Sequence, residues 1–341
     1  MYKIAIAGAS SLLGKELKDA ISESPLAAAT FTLLDEDTAL GQLDQVGDEI
    51  TFVQPINPDS FEQVDFTFFC GSETLTQRHW KEALRAGSTV IDLSGALDQE
   101  PGVLVCAPWL ESGAGSPDLF TPAVVPAHPA AITLGLLLER LQEAVPLRLA
   151  SATLLVPASE FGRGAMDELH QQTVSLLSFQ SMPRAIYDAQ AAYNLLSGFG
   201  ESARTSLTGL EARIQRHYEA LGGGRWPLLD LQAIAAPVFH GHTFSISVQL
   251  ERALDIPLIE DALSGEHVEL VLEDTDSPSN LAVTGQNGVL VRMRSVQERR
   301  NPTQASRLWL WAASDNLRLY AQNAVECALE LRKLRPQGKV Q

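Results

Sequence analysis

The residues of this chain that could do chemistry are few and widely spaced. Gly8-Ala-Ser-Ser-Leu-Leu-Gly14 has the glycines of a phosphate-binding turn, where backbone N–H groups at a helix start approach a pyrophosphate. Its middle position is Ser11, whose Cβ can obstruct that approach, so a tight turn that needs only Gly8 is the competing reading. Asp35, Glu36 and Asp37 form an acidic end to a second apolar run. If a dinucleotide binds, they would repel a ribose 2′-phosphate and favour NAD over NADP, with Asp35 on the ribose hydroxyls; a solvated acidic loop is the alternative. Cys70 precedes Gly71-Ser72 and has the look of a thiol nucleophile, but a free cysteine after an apolar run reads more readily as a buried strand end. Ser72 is placed to line a cofactor cleft or to face solvent. His240 and His242 are two apart, which on one strand would put them on one face, but no third ligand has metal-site spacing.

The elements that would position these groups follow from periodicity. Residues 2–7 are apolar and end at Gly8, and a helical pattern runs from Leu12 to Ile21. Apolar runs recur at Phe31–Leu34, Val64–Cys70, Thr89–Ile91 and Val103–Cys106, with a helical segment from Thr76 to Ala86. Such alternation predicts a Rossmann-like doubly wound parallel sheet over the first ~125 residues. A Gly/Ser/Pro-rich loop is expected at 111–122, then a buried helix from Ala130 to Glu143. From Leu147 strand-like runs at 148–156, 243–251, 267–272 and 306–313, with a helix near 165–178, predict a second α+β domain. The stretch 180–225 reads as loops and short helices, and 315–333 as a final helix before a frayed tail.

Composition bounds the function. The 341 residues suffice for two domains, and 45% are apolar. A formal net charge of −17 argues against nucleic-acid and anionic-membrane partners. Three cysteines without metal-ligand spacing argue for a reducing compartment. With no stretch near the ~18 apolar residues of a membrane span and no basic or apolar leader, a cytoplasmic location is expected.

Several segments together resemble the aspartate-semialdehyde dehydrogenases over nearly the whole chain. IAIAGASSLLGKEL resembles that family's nucleotide loop, and Val90-Ile-Asp-Leu-Ser-Gly-Ala-Leu97 its "VIDNSSAFR" segment. Ala192-Tyr-Asn-Leu-Leu196 is similar to "AFNxxP", Pro237-Val-Phe-His-Gly-His242 to "PVxRGH", and Asp315-Asn-Leu-Arg318 with Asn323-Ala-Val325 to the C-terminal "DNLRKGAAxNAV" helix. The resemblance implies reductive dephosphorylation of aspartyl phosphate: a cysteine thiolate forms a thioester, a nicotinamide cofactor delivers hydride, a histidine is acid and base, and arginines hold carboxylate and phosphate. It implies a nucleotide domain over 1–127, with Gly8, Ser10, Ser11, Leu13, Gly14, Asp35 and Ser72 as cofactor residues. It also implies a dimerisation domain over 128–313, a C-terminal helix over 314–341 packing back on the first domain, and a homodimer.

At the site this chain departs from the pattern. Its "NPNC" turn reads Pro126-Ala127-His128-Pro129, putting Pro129 at the nucleophile's place, with His128 there if the alignment shifts by one. Proline suits a first helical turn but has nothing to attack with. His242 keeps the base position, either as a residual base or as an ordinary hydrogen-bonded histidine. Ala235 stands for the carboxylate-binding arginine and Asp98 for the phosphate-binding one. "SGAG" becomes Ser159-Glu-Phe-Gly162, Val156 replaces the preceding glutamine, and no counterpart of the "ExxK" helix is evident at 209–219. The pattern resembles the Usg-type paralogues of this family. It predicts a catalytically silent protein with a binding or regulatory role, the alternative being an NAD(P)-dependent oxidoreductase of altered chemistry on an unknown carbonyl or acyl substrate.

Overall fold

The structure is a computed structural model, and it describes residues 2–36, 41–47, 49–110, 117–118, 120–272, 274–298 and 301–334. Asp37, most of the 111–122 loop and the 336–341 tail of the sequence reading lie outside the described residues. The chain divides into two compact units: one runs to Ala127 and resumes at Tyr320, the other is His128–Leu319.

The first unit contains β1 (Lys3–Ala7), α1 (Leu12–Ser22), β2 (Thr30–Asp35), β3 (Leu43–Val46), β4 (Glu49–Pro55), β5 (Phe66–Phe69), α2 (Glu73–Arg85), β6 (Thr89–Asp92), β7 (Leu104–Cys106) and β8 (Ala123–Pro126). The sheet order is β3-β4-β2-β1-β5-β6-β8-β7, parallel except for β3 against β4. Because β1 has β2 on one side and β5 on the other, strand order reverses there, and the C-terminal ends of these strands bring the glycine loop, Asp35 and Gly71-Ser72 to one edge. The strands read as continuous apolar runs because both faces are covered. Leu17, Ala20 and Ile21 of α1 pack on one face with Ile4, Ile6 and Phe68, while Ala5, Ala7 and Phe69 meet Leu75, Trp80 and Ala83 of α2 on the other. The sequence pattern does not show the β3–β4 hairpin: Leu43 on β3 and Ile50 and Phe52 on β4 are exposed, so it lacks a clear buried pattern. The buried ammonium of Lys18 on α1 pairs with Asp44 on β3 and ties the hairpin down.

The second unit contains α3 (Pro129–Ala144), β9 (Leu147–Val156), α4 (Arg163–Leu177), α5 (Leu207–Gly222), β10 (Leu229–Ala235), β11 (His242–Asp255), α6 (Ile256–Leu263), β12 (Val268–Leu270), β13 (Val289–Glu298), β14 (Asn301–Ser314) and the first turn of α7 (Asn316–Leu334). Its mixed sheet runs β10-β9-β11-β14-β13-β12. Alternation along the strands is clean: Ala150, Ala152 and Leu154, Phe244, Ile246 and Val248, and Leu308, Leu310 and Ala312 are buried, while Leu149 and Trp309 on the opposite face are part exposed. The rest of α7 belongs to the first unit, where Ala321, Ala324, Ala328 and Leu331 complete the core against α1 and β1.

One expectation fails here. The stretch 180–225 holds a full helix of 16 residues, α5. Ser206 caps it by accepting from the Gly209 amide, and Gly223 ends it in the left-handed region at φ 53°. The Gly222-Gly-Gly224 run, which has the composition of a loop, is thus the punctuation that ends this helix. The irregular 183–192 segment is held by the buried Gln172 carboxamide, which donates to Pro183 and Ala189 carbonyls and accepts from the Ala191 and Ala192 amides.

Candidate functional site

In the first unit, Gly8 sits at φ +87°, and a Cβ there would lie 2.3 Å from the Gly71 nitrogen. A Cβ on Gly14 would meet the Gly8 carbonyl at 2.5 Å. Both glycines are therefore demanded by close backbone crossing. The Ser11 hydroxyl does not project into open space: it caps α1, accepting from the Gly14 amide at 2.8 Å and donating to the Cys70 carbonyl at 2.7 Å. The Ser10 N–H donates to Asp35 Oδ2 at 2.8 Å and its hydroxyl donates to the same oxygen, while the Glu36 amide reaches Oδ1. Asp35 is thus already bonded to the loop. The Leu12 and Leu13 amides, in the first turn of α1, have no intrahelical acceptor and stand at its positive end. Those two amides, with the remaining lone pair of Asp35, fit a nucleotide's phosphate and ribose. Ser72 is an exposed cap of α2, its hydroxyl accepting from the Leu75 amide at 3.1 Å.

Cys70 is a poor nucleophile. Cys70 is buried, donates to the Ala7 and Gly8 carbonyls at 3.3 and 3.5 Å, and burial pushes its pKa up to about 12. Cys106 and Cys327 are also buried, and the Cys327 thiol donates toward the Cys106 carbonyl at 3.6 Å. Asp92, fully buried, turns the segment after β6 by accepting from the Ser94 and Leu97 amides. Asp98 follows in that turn, its amide donating to the Gly95 carbonyl.

In the second unit a polar cluster lies inside the fold. His128 caps α3 and Pro129 is its first helical residue, where a missing N–H costs nothing. Glu160 sits in a 3₁₀ turn, Ala158–Phe161, that hangs on the segment before β11: the Ala158 and Ser159 amides donate to the Val238 and Phe239 carbonyls. Glu160 Oε1 lies 2.8 Å from His128 Nε2, and Oε2 lies 2.9 Å from His242 Nε2. The two imidazoles stack, centroids 5.7 Å apart. His128 and His242 are 1% and 0% exposed.

The protonation states follow. The Ala130 N–H donates to His128 Nδ1 at 3.2 Å, so that nitrogen holds a lone pair and Nε2 carries the hydrogen given to Glu160. Burial pushes the His128 pKa down to about 4; the Glu160 carboxylate opposes the shift, and Arg213 and His242 add to it. Burial works to raise the Glu160 pKa, but the two imidazoles outweigh it and hold the carboxyl well below its usual range. The cluster is one carboxylate bridged by two imidazole N–H groups.

Other residues brace it. His217 on α5 accepts the His128 backbone N–H at 2.9 Å. Asn316 Oδ1 accepts from both the Ser159 hydroxyl and the Gly241 amide, each at 3.1 Å, so one carboxamide clips the turns that carry Glu160 and His242 together. Gly241, at φ +84°, bends the chain between His240 and His242. This corrects the reading of those two histidines as alternate residues of one strand: β11 starts at His242. Ala235 is the last residue of β10, buried and bridged to Leu196 through backbone hydrogen bonds in both directions.

Glu160 was noted in the sequence only as a bulky replacement, and Arg213 and His217 were missed with their helix. Their spacing of four on one face was the available signal. Among the described residues no group of three or more His, Cys, Asp or Glu is arranged for a metal, and no helix is long and apolar enough to cross a membrane.

A doubly wound parallel-sheet unit followed by a mixed-sheet unit, with His242 at the start of β11, is the build of a two-domain dehydrogenase. The model for the semialdehyde dehydrogenase NAD binding domain matches residues 3–126, and that for the semialdehyde dehydrogenase dimerisation domain matches residues 138–319. The chain belongs to the semialdehyde dehydrogenase family. It is 30% identical to a USG-1 protein homolog of Azotobacter vinelandii, covering 95% of this chain and 96% of that one. It is 26% identical to an aspartate-semialdehyde dehydrogenase of Bacillus subtilis, over 97% of each. The solved structure of a probable aspartate-semialdehyde dehydrogenase from Pseudomonas aeruginosa superposes with a TM-score of 0.85 at 27% identity, covering 97% of this chain and 98% of that one.

Proposed function

We propose that this chain is a catalytically silent member of its family with a binding or regulatory role. The observation that carries the reading is the Glu160 carboxylate bonded to both His128 and His242 where acyl chemistry needs a thiolate beside a base. Pro129 occupies the first turn of α3, the position assigned to the nucleophile, and offers no reactive atom. Ala235 gives no cation for a substrate carboxylate. Without a covalent path the family reaction loses many orders of magnitude in rate.

The nucleotide loop supports NAD as the bound cofactor, held by Gly8, Ser10, Ser11, Leu13, Gly14, Asp35 and Ser72. Asp35 disfavours the 2′-phosphate of NADP. When bound, a nicotinamide would supply hydride chemistry. A homodimer formed through the second unit, in the cytoplasm, completes the reading.

A second reading, an oxidoreductase of altered chemistry, draws on one observation: His242 Nδ1 is buried with no hydrogen-bond partner among the described residues. Titration of the protein with NAD and NADP, followed by calorimetry, separates the readings first. Heat with NAD but not NADP supports the cofactor assignment, and no heat at millimolar cofactor removes it. Turnover of aspartate semialdehyde with phosphate, lost in His242→Ala, overturns the silent reading.

A further inference from the structure

We propose that Glu160 is a positioning residue that decides which nitrogen of His242 the site presents, and that the site receives a ligand bearing a hydrogen-bond donor, an ammonium or amide N–H, at His242 Nδ1.

A carboxylate can only accept. Each Glu160 oxygen is committed to one imidazole, so both Nε2 atoms must carry hydrogen. For His128 an independent contact requires the same tautomer, because the Ala130 amide already occupies Nδ1. His242 has no such contact. In the neutral ring its Nδ1 is then a bare acceptor, in a side chain that is 0% exposed, without a hydrogen-bond partner among the described residues. Its ring neighbours, His128 in a stack and Phe244 edge-on at 5.9 Å, offer it no donor. A buried acceptor left unpaired is costly, and the fold does not let it turn away. Nε2 is fixed by Glu160, and the turns bearing Glu160 and His242 are clipped by the one Asn316 carboxamide. An anionic oxygen brought to Nδ1 would meet a lone pair, with the Glu160 charge on the far side of the same ring. A donor group would be accepted, and a cationic one favoured by that charge.

This rests on the reading of the site as a binding site, but it is tested apart from turnover. Long-range proton–nitrogen correlation spectra of the full chain, ¹⁵N-labelled at histidine, report the tautomer of each ring at neutral pH, with His242→Asn assigning the His242 signals. The expected result is hydrogen on Nε2 and a bare Nδ1 for His242. In Glu160→Gln the carboxamide offers one acceptor and one donor, and because the Ala130 amide holds His128 Nδ1 as an acceptor, it is His242 that must move its hydrogen to Nδ1. Glu160→Asp keeps the wild-type tautomer and serves if the glutamine variant does not fold. Methylammonium chloride should then shift the wild-type Nδ1 signal upfield, as hydrogen bonding to a bare nitrogen does, while sodium acetate should not. Hydrogen on Nδ1 of wild-type His242, unchanged tautomers in a folded Glu160→Gln, a shift with acetate, or indifference to methylammonium would each overturn the proposal. Turnover of a semialdehyde with the tautomer as expected would sink the silent reading and leave this one standing.

Discussion

Glu160 Oε2 lies 2.9 Å from Nε2 of His242, and the residue that the family pattern keeps as a base is thereby held as a hydrogen-bond donor. Removing the carboxylate leaves two buried imidazole N–H groups without acceptors. Hydrogen bonds to charged groups contribute roughly 1.5–3 kcal/mol each, offset here by relief of the carboxylate's own desolvation. Glu160→Ala is expected to lower stability by about 2 kcal/mol, read as a fall in the urea midpoint. An unchanged midpoint would contradict the bridge.

The same cluster sets an acid limit. The folded pKa of His128, about 4, is below its ordinary 6.5, so the unfolded chain binds the extra proton first as pH falls. Stability contributed by this group is complete above pH ~6.5 and declines by about 1.4 kcal/mol per pH unit down to about 4. Glu160, held below its usual range, adds a loss that starts near its unfolded value and continues as pH falls through its folded one. Urea midpoints measured from neutral pH to pH 4 should drop, and His128→Asn should flatten the part of the drop that lies above the carboxylate range.

Asp35 is the proposed discriminator between the two dinucleotides. Asp35→Ser removes a negative charge from the ribose end and frees the Ser10 amide. A roughly tenfold gain in NADP affinity relative to NAD is expected, a change of about 1.4 kcal/mol by calorimetry. An unaltered ratio would assign Asp35 to holding the loop and nothing more.

The three cysteines are buried, and Cys70 is pushed toward a pKa of about 12. The thiolate is the reactive form, so Cys70 should resist iodoacetamide in the native protein at neutral pH, and all three should label once the chain is unfolded in urea. Rapid native labelling of Cys70 would restore a thiol to consideration as a nucleophile.

The alternation of apolar runs with helical periods made the first unit legible, since a parallel sheet covered on both faces must read that way. Short matched segments made the family legible. Elements whose signal is divided were not: the β3–β4 hairpin exposes Leu43 and Phe52, and α5 ends in a run of glycines of the kind that marks loops elsewhere. The cluster itself could not be read along the chain. His128, Glu160 and His242 are brought together only when β11 pairs with β9 and the Ala158–Phe161 turn closes on Val238 and Phe239. Sequence substitution showed that a small residue had become Glu160; only the fold shows what its carboxylate holds.

The most direct test of a silenced site is an assay of the purified chain with aspartate semialdehyde, phosphate and either NAD or NADP, following nicotinamide reduction by absorbance beside the His242→Ala variant. The account predicts no reduction above the enzyme-free rate for either protein. Reduction by the wild-type chain that disappears in His242→Ala would contradict it.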